Sequence, residues 1–258
     1  MENLVSLHTH TTYSDGKNSM EEMVLQAISS GFKRIGFTDH SFVTCDAEYC
    51  MAYENYDAYK KEARMLKEKY ADKIEILCGI EQDFYSDYPA EGFDYVIGSV
   101  HFIKVGEEFI GIDWGGEKGT KTIQAAAKKY FNDDIYSLLE YYFETISKVV
   151  ETTGADIIGH FDVIRKTNEQ LPFFDPDNER YIAAWKKAVD ILITKNVLFE
   201  INLSPLLNKM LSVPHPAYDI QAYIKEKGGR MYYTGDCHST ASLSDFANYL
   251  QNEADALK

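Results

Sequence analysis

Along the 258 residues, short apolar runs alternate with stretches whose apolar positions recur at helical spacing. Leu4-Val5-Ser6-Leu7 opens the pattern as a short buried strand. Ser19-Met20-Glu21-Glu22 is a capping-box sequence, and Met23, Ala27 and Ile28 then share one helical face up to Gly31. A second strand is predicted over Arg34–Thr38, running into Asp39-His40. A tyrosine-rich polar helix follows from about Tyr53 to Tyr70, then a third strand over Lys73–Cys78, ending in Gly79-Ile80-Glu81. Phe93–Gly98 reads as a fourth strand leading into Ser99-Val100-His101. The Gly-rich segment Lys104–Thr120 reads as an irregular functional loop or lid, because it is long for a connection.

One or two helices are expected from Ile123 to Thr152. A fifth strand over Ala155–Gly159 delivers His160, and a helix spans about Glu179 to Lys195. Val197–Ile201 is a sixth strand ending at Asn202, followed by a proline-bounded loop and a helix to about Lys227. Arg230–Thr234 is a seventh strand, ending in Gly235-Asp236-Cys237-His238, and a last helix covers Leu243–Leu257. Strands that alternate with helices imply a parallel sheet with right-handed crossovers. Seven units over residues 1–258, with no internal boundary, fit a single α/β domain of TIM-like barrel form better than an open doubly wound sheet.

Composition narrows the function. The chain is 45% hydrophobic, with no apolar run long enough for a membrane span and no cleavable leader pattern at its start. The four cysteines, 45, 50, 78 and 237, form no CxxC pair, which suits free thiols in the cytoplasm. Acidic residues outnumber basic ones 41 to 26, for a net charge of −15, and the basic residues form no run. Stable nucleic-acid binding, which needs clustered Lys and Arg, is therefore not expected.

The chemistry lies where strands end. His8 and His10 are two apart, so an extended backbone points both imidazoles to one side. His40, Glu81, His101, His160, and Asp236 with His238 each follow a different predicted strand, and Asp15 sits in the turn after His10. Carboxyl ends of barrel strands gather on one face, where active sites of this architecture sit. Imidazoles and carboxylates without thiolate suit Zn, Mn or Fe, and nine such groups exceed the needs of one tetrahedral ion. Two or three divalent metals are implied. Cys237 reads as a packing residue, and His215, which follows no strand, as a rim or surface histidine.

The segments HTHTTYSDG, GFTDHS, GIEQDF, FDYVIGSVHF, IGHFDVIRK and TGDCHS resemble successive motifs of the PHP (polymerase and histidinol phosphatase) superfamily, and more closely its monofunctional histidinol-phosphatase branch. The resemblance implies a distorted (β/α)7 barrel with a metal centre at the strand ends. It implies that His8, His10, Glu81 and Asp236 hold a first metal. Glu81 then bridges to a second with His101 and His160, and Asp15, His40 and His238 hold a third. It further implies hydrolysis of a small phosphate monoester, L-histidinol phosphate, in histidine biosynthesis. Glu81, Asp236, His238 and Arg165 are the expected catalytic residues, Arg165 by forking two phosphate oxygens. Asn202, Phe102 and Trp114 are the expected substrate neighbours. Two alternatives stand beside this reading: a PHP phosphoesterase acting on nucleotides or nucleic-acid ends, and a metal-binding barrel without catalysis.

Overall fold

The computed structural model describes residues 4–256. Its strands are β1 (Leu4–Ser6), β2 (Phe32–Phe37), β3 (Glu75–Cys78), β4 (Ile80–Asp83), β5 (Val96–Ser99), β6 (Phe102–Val105), β7 (Glu108–Gly111), β8 (Ile157–Ile158), β9 (Leu198–Asn202) and β10 (Arg230–Thr234). Its α-helices are α1 (Met20–Ser29), α2 (Tyr56–Lys69), α3 (Gly116–Tyr130), α4 (Ile135–Ile146), α5 (Val149–Thr153), α6 (Glu179–Ile193), α7 (Ser204–Leu207), α8 (Tyr218–Glu226) and α9 (Thr240–Ala256).

Two parallel sheets carry the site, in the orders β1-β2-β3 and β10-β9-β8-β5-β4. The chain between them is one strand with a bend. Sequence reasoning places Glu81 beyond the third strand, whereas Gly79 interrupts that strand and Glu81 lies inside β4. The half before the bend pairs with β2 and the half after it with β5. A parallel bridge His40↔Glu81 crosses this seam, and a second, Thr9↔Cys237, joins the continuation of β1 to that of β10. A small apolar cluster fills the space the strands enclose: Tyr95, Ile97 and Ile157, with Leu7, Leu77 and Leu198 against them. Tyr95 and Ile97 come from β5 and its flank and the other four each from a different strand or its flank, as in the layered interior of a barrel.

The helices form where the polar and apolar pattern predicts. Ser19 accepts from the Glu22 backbone while the Glu22 carboxylate accepts from the Ser19 N–H, so the capping box is present at α1. Met20, Met23, Val24 and Ala27 are buried on its inner face, in one core cluster with Phe32, Ile35 and Phe37 of β2. On the other side, Leu139 and Phe143 of α4 and Tyr181, Trp185 and Val189 of α6 pack together over β8 and β9. No helix among the described residues is long and apolar enough to cross a membrane.

The segment from Lys104 to Thr120 is not an irregular loop. Residues 102–111 form the antiparallel hairpin β6–β7, with Phe102 opposite Gly111, and α3 begins at Gly116. The turn glycine Gly106 has φ +62°, a conformation that glycine adopts without strain. A Gly-rich composition thus marks a tight hairpin turn here.

Tyr95 fixes the bend before β4. Its hydroxyl donates to the Leu7 carbonyl at 2.6 Å, one residue before His8. A Cβ at Gly79 would lie 2.6 Å from the Tyr95 ring and 3.0 Å from the Phe37 carbonyl oxygen. Gly79→Ala should therefore cost roughly 1–3 kcal/mol through overpacking, lowering the thermal unfolding midpoint by several degrees. An unchanged midpoint would mean that the ring slides aside freely.

Candidate metal centre

Glu81 is the hub. The side chain is buried, with Oε2 2.8 Å from His40 Nδ1, 3.4 Å from His8 Nε2 and 3.6 Å from His10 Nε2. Its Oε1 lies 2.9 Å from His160 Nε2 and 3.4 Å from His101 Nε2, and accepts from Ser99 Oγ at 2.6 Å. Asp236 Oδ1 stands 3.1 Å from His10 Nε2 and 3.6 Å from His8 Nε2. Asp15 stands 3.2 Å from His238, 3.6 Å from His10 and 3.7 Å from His40. All nine residues expected from the sequence thus converge on one locus.

Three groups have donor atoms spaced to share an ion: His8, His10 and Asp236; His40, Glu81 and His101; and His10, Asp15, His40 and His238. His101 and His160 also bring their Nε2 atoms within 3.2 Å of each other. Buried atoms with no hydrogen-bond partner collect here: His8 Nε2, both His10 nitrogens, His40 Nδ1 and Glu81 Oε2. Native proteins seldom leave buried polar atoms unpaired, and lone pairs that converge without donors are what cations require. The residues fit a multinuclear divalent centre.

An outer ring of acids orients this shell. Glu200, in β9, accepts from His8 Nδ1 at 2.7 Å and from Thr234 Oγ1 at 2.9 Å, and also takes the His160 N–H. Asp83 accepts from the His101 ring at 3.1 Å. Asp39 accepts from the Thr11 N–H at 2.8 Å and from Ser14 Oγ at 2.7 Å, holding the turn that carries Asp15. Asn202 donates to Asp236 at 3.0 Å and to Glu200 at 3.2 Å, so it touches the ligand shell. Sequence reasoning missed Glu200 and Asp83, though both left a signal. Glu200 is a carboxylate inside an apolar run, and Asp83 repeats the two-residue spacing from Glu81 that links His8 to His10.

The remaining residues are placed differently. Arg165 ends a 3-10 turn, with its guanidinium 3.6 Å from Asp162. Phe102 packs with Val43 and Cys50 in an apolar cluster. The Trp114 ring lies against Gly111, with the Lys118 ammonium 3.5 Å above it. Cys237 is buried in the core. Asp236 has φ +47°, so the backbone turns there instead of continuing extended from β10. His215 is not a rim residue. It is buried, donates from Nδ1 to Asp162 at 2.7 Å, and pairs its backbone with Asn202.

Charge follows the geometry. Burial and the neighbouring His238 and His40 bring His10 down to about 3, so its ring nitrogens are free of extra protons. Burial opposes charge on Glu81, but His40, His8 and His101 hold its carboxyl well below the usual range. Burial likewise disfavours a charged His238, yet Asp236 and Asp15 raise it to about 9.

Two outcomes follow for the metal-free and metal-loaded protein. Glu200→Gln should weaken metal binding about 10–100-fold in a zinc titration with little change in far-UV circular dichroism, as expected for a residue that orients a ligand. Wild-type affinity would remove Glu200 from the centre. Because His238 is raised above its unfolded value of about 6.5, its contribution to stability of the metal-free fold is complete below that pH. It is lost as pH rises through about 9. The metal-free protein should thus melt at a lower temperature at high pH, while metal binding strengthens over the same interval because ligands bind deprotonated. Thermal scans with and without zinc test both slopes, and a flat metal-free profile would remove His238 as the source.

Comparison with known proteins finds relatives of the whole fold. A Schizosaccharomyces pombe protein named as a histidinol-phosphatase is 26% identical over 264 residues, covering 91% of this chain and 80% of its own length. A Listeria monocytogenes structure named for histidinol phosphatase superposes with TM-score 0.77 at 20% identity, covering 93% of this chain and 97% of that one. The Lactococcus lactis histidinol phosphate phosphatase, solved with Zn, L-histidinol and phosphate, superposes with TM-score 0.67 at 22% identity, covering 97% and 93%. The shared architecture is the distorted TIM-like barrel. Residues 6–204, most of the chain and all the metal-centre residues except Asp236 and His238, match the PHP domain, and the chain belongs to the PHP family.

Proposed function

We propose that the protein is a metal-dependent phosphomonoesterase that hydrolyses L-histidinol phosphate to L-histidinol and phosphate in histidine biosynthesis. The observation that carries this reading is the set of unpartnered nitrogen and oxygen atoms converging on Glu81, in a fold whose Lactococcus relative holds Zn, L-histidinol and phosphate. His8, His10, Glu81 and Asp236 would hold one ion, Glu81, His101 and His160 a second, and Asp15, His40 and His238 a third. Bound divalent ions of this kind lower the pKa of water to about 7 and neutralise charge developing on a phosphoryl group.

The chain's own residues do the rest. Asp15, Glu81 and Asp236 offset only part of the ions' charge, which leaves a cationic pocket in an acidic protein and favours a phosphate dianion. Ser99 fixes one Glu81 oxygen, and Glu200 fixes the His8 ring, so neither need reorganise during reaction. Arg165, tethered by Asp162, is the residue we assign to two phosphate oxygens. Glu81, Asp236 and His238 complete the catalytic set. Asn202 steadies Asp236, and Phe102 and Trp114 border the leaving-group side. All four cysteines are free, which suits the cytoplasm.

Specificity for monoesters tests the reading. A diester carries one charge fewer and a second substituent, so it leaves part of a buried charged site unpaired. L-Histidinol phosphate should be hydrolysed at least ~10³-fold more efficiently than an aryl diester. Arg165→Ala should lower kcat/KM for the monoester roughly 10–100-fold, and Arg165→Lys should recover only part of the loss, because an ammonium cannot fork two oxygens. Steady-state kinetics with metal content measured in parallel decide the matter. Comparable monoester and diester rates would overturn the assignment in favour of a phosphodiesterase.

A further inference from the structure

The Tyr49 hydroxyl has no role in the centre as described. Tyr49 lies on the segment between β2 and α2, and its ring stands edge-on to His40, with centroids 4.7 Å apart and planes at 63°. The same ring is 6.1 Å from the His101 ring and 6.2 Å from Phe102. It therefore sits beside two histidines of the centre, whose own rings are 5.0 Å apart. The residue reaches the surface, yet its hydroxyl oxygen is buried and has no hydrogen-bond partner among the described residues.

Most inward tyrosines of this protein use their hydroxyls otherwise. Tyr59 donates to the Gly79 carbonyl, Tyr95 to Leu7, Tyr142 to Phe161 and Tyr232 to Val5. Tyr181 also lacks a partner, but it belongs to the packing face of α6. The acids that act on the Tyr49 hydroxyl are Asp83, Asp113 and Glu81, and none of them accepts its proton. A buried donor left unpaired is unfavourable, and phenylalanine would keep every ring contact without that cost. A donor held beside two candidate metal ligands, and unused by the protein, is suited to an anion that bridges the ions. An ordinary phenol stays protonated up to about pH 10, so it donates at any working pH and adds no charge to repel a cation.

We infer that Tyr49 is a substrate-contacting residue whose hydroxyl donates a hydrogen bond to a phosphoryl oxygen of the bound monoester, beside His40 and His101. This rests on the phosphomonoesterase reading of the same site. The test is Tyr49→Phe in the full chain, with three readouts: thermal midpoint without metal, affinity of the zinc-loaded protein for inorganic phosphate by titration calorimetry, and kcat/KM on L-histidinol phosphate. The midpoint should stay unchanged or rise, and metal content should match wild type. Phosphate affinity should fall about 10-fold and kcat/KM about 10–100-fold, the loss of one buried donor. Phosphate affinity within twofold of wild type overturns the inference, whether or not the midpoint drops. So does a wild-type protein that takes up zinc and fails to bind phosphate. A wild type that binds phosphate but does not hydrolyse L-histidinol phosphate sinks the substrate assignment instead, and the phosphate arm then decides the role of Tyr49 alone.

Discussion

A carboxylate buried with almost no access to water must be paired, or it costs several kcal/mol. Glu81 is that carboxylate, and five histidines from four separate segments answer it. Most of the architecture can be derived from this one requirement. The strand carrying Glu81 belongs to both sheets, so its side chain stands at the seam where ligands from each side can reach it. Imidazoles compensate the charge only in part, and they leave lone pairs directed inward. The pocket is thus more polar than its own hydrogen bonds can satisfy, which is the condition under which cations bind.

A second layer turns this collection into a site of defined shape. Glu200, Asp83 and Asp39 each accept from a ligand residue or from the loop that carries one, and Asp162 holds two residues outside the ligand set, His215 and Arg165. Such outer contacts settle which ring nitrogen faces inward and raise the basicity of the ligand. Their placement is economical in sequence terms. Asp39 precedes His40, Asp83 follows Glu81 by two, and Asp162 follows His160 by two, so each strand end supplies both a ligand and a support.

How far this could be read in the sequence depends on the length scale of the signal. The seven parallel strand positions, the capping box at Ser19 and the nine converging residues follow from local periodicity and from which residue types end each apolar run. Gly79 was invisible as a bend because a single glycine in a strand does not reveal that its two sides pair with different neighbours. The hairpin at Phe102–Gly111 was hidden by glycines that read equally well as a loop. His215 was misread because its burial depends on Asp162 and Asn202, both far away in sequence, and no local pattern reports such partners. Glu200 needed the opposite inference, from a charge where an apolar residue was expected.

The bridge between Thr9 and Cys237 has a consequence for synthesis. His8 and His10 emerge from the ribosome long before Asp236 and His238, and the bridge brings these two distant segments side by side. Until then the first histidines have no Asp236 facing them, and the strand beside them has an open edge. Contacts this distant along a chain form slowly, after the entropy of closing a long loop has been met. A nascent chain can therefore offer only a partial set of donors to a cation, and full affinity arrives with β10 and the residues that follow it. Metal capture thereby becomes a report that the segment carrying Asp236 has been made and has docked against the one carrying His8.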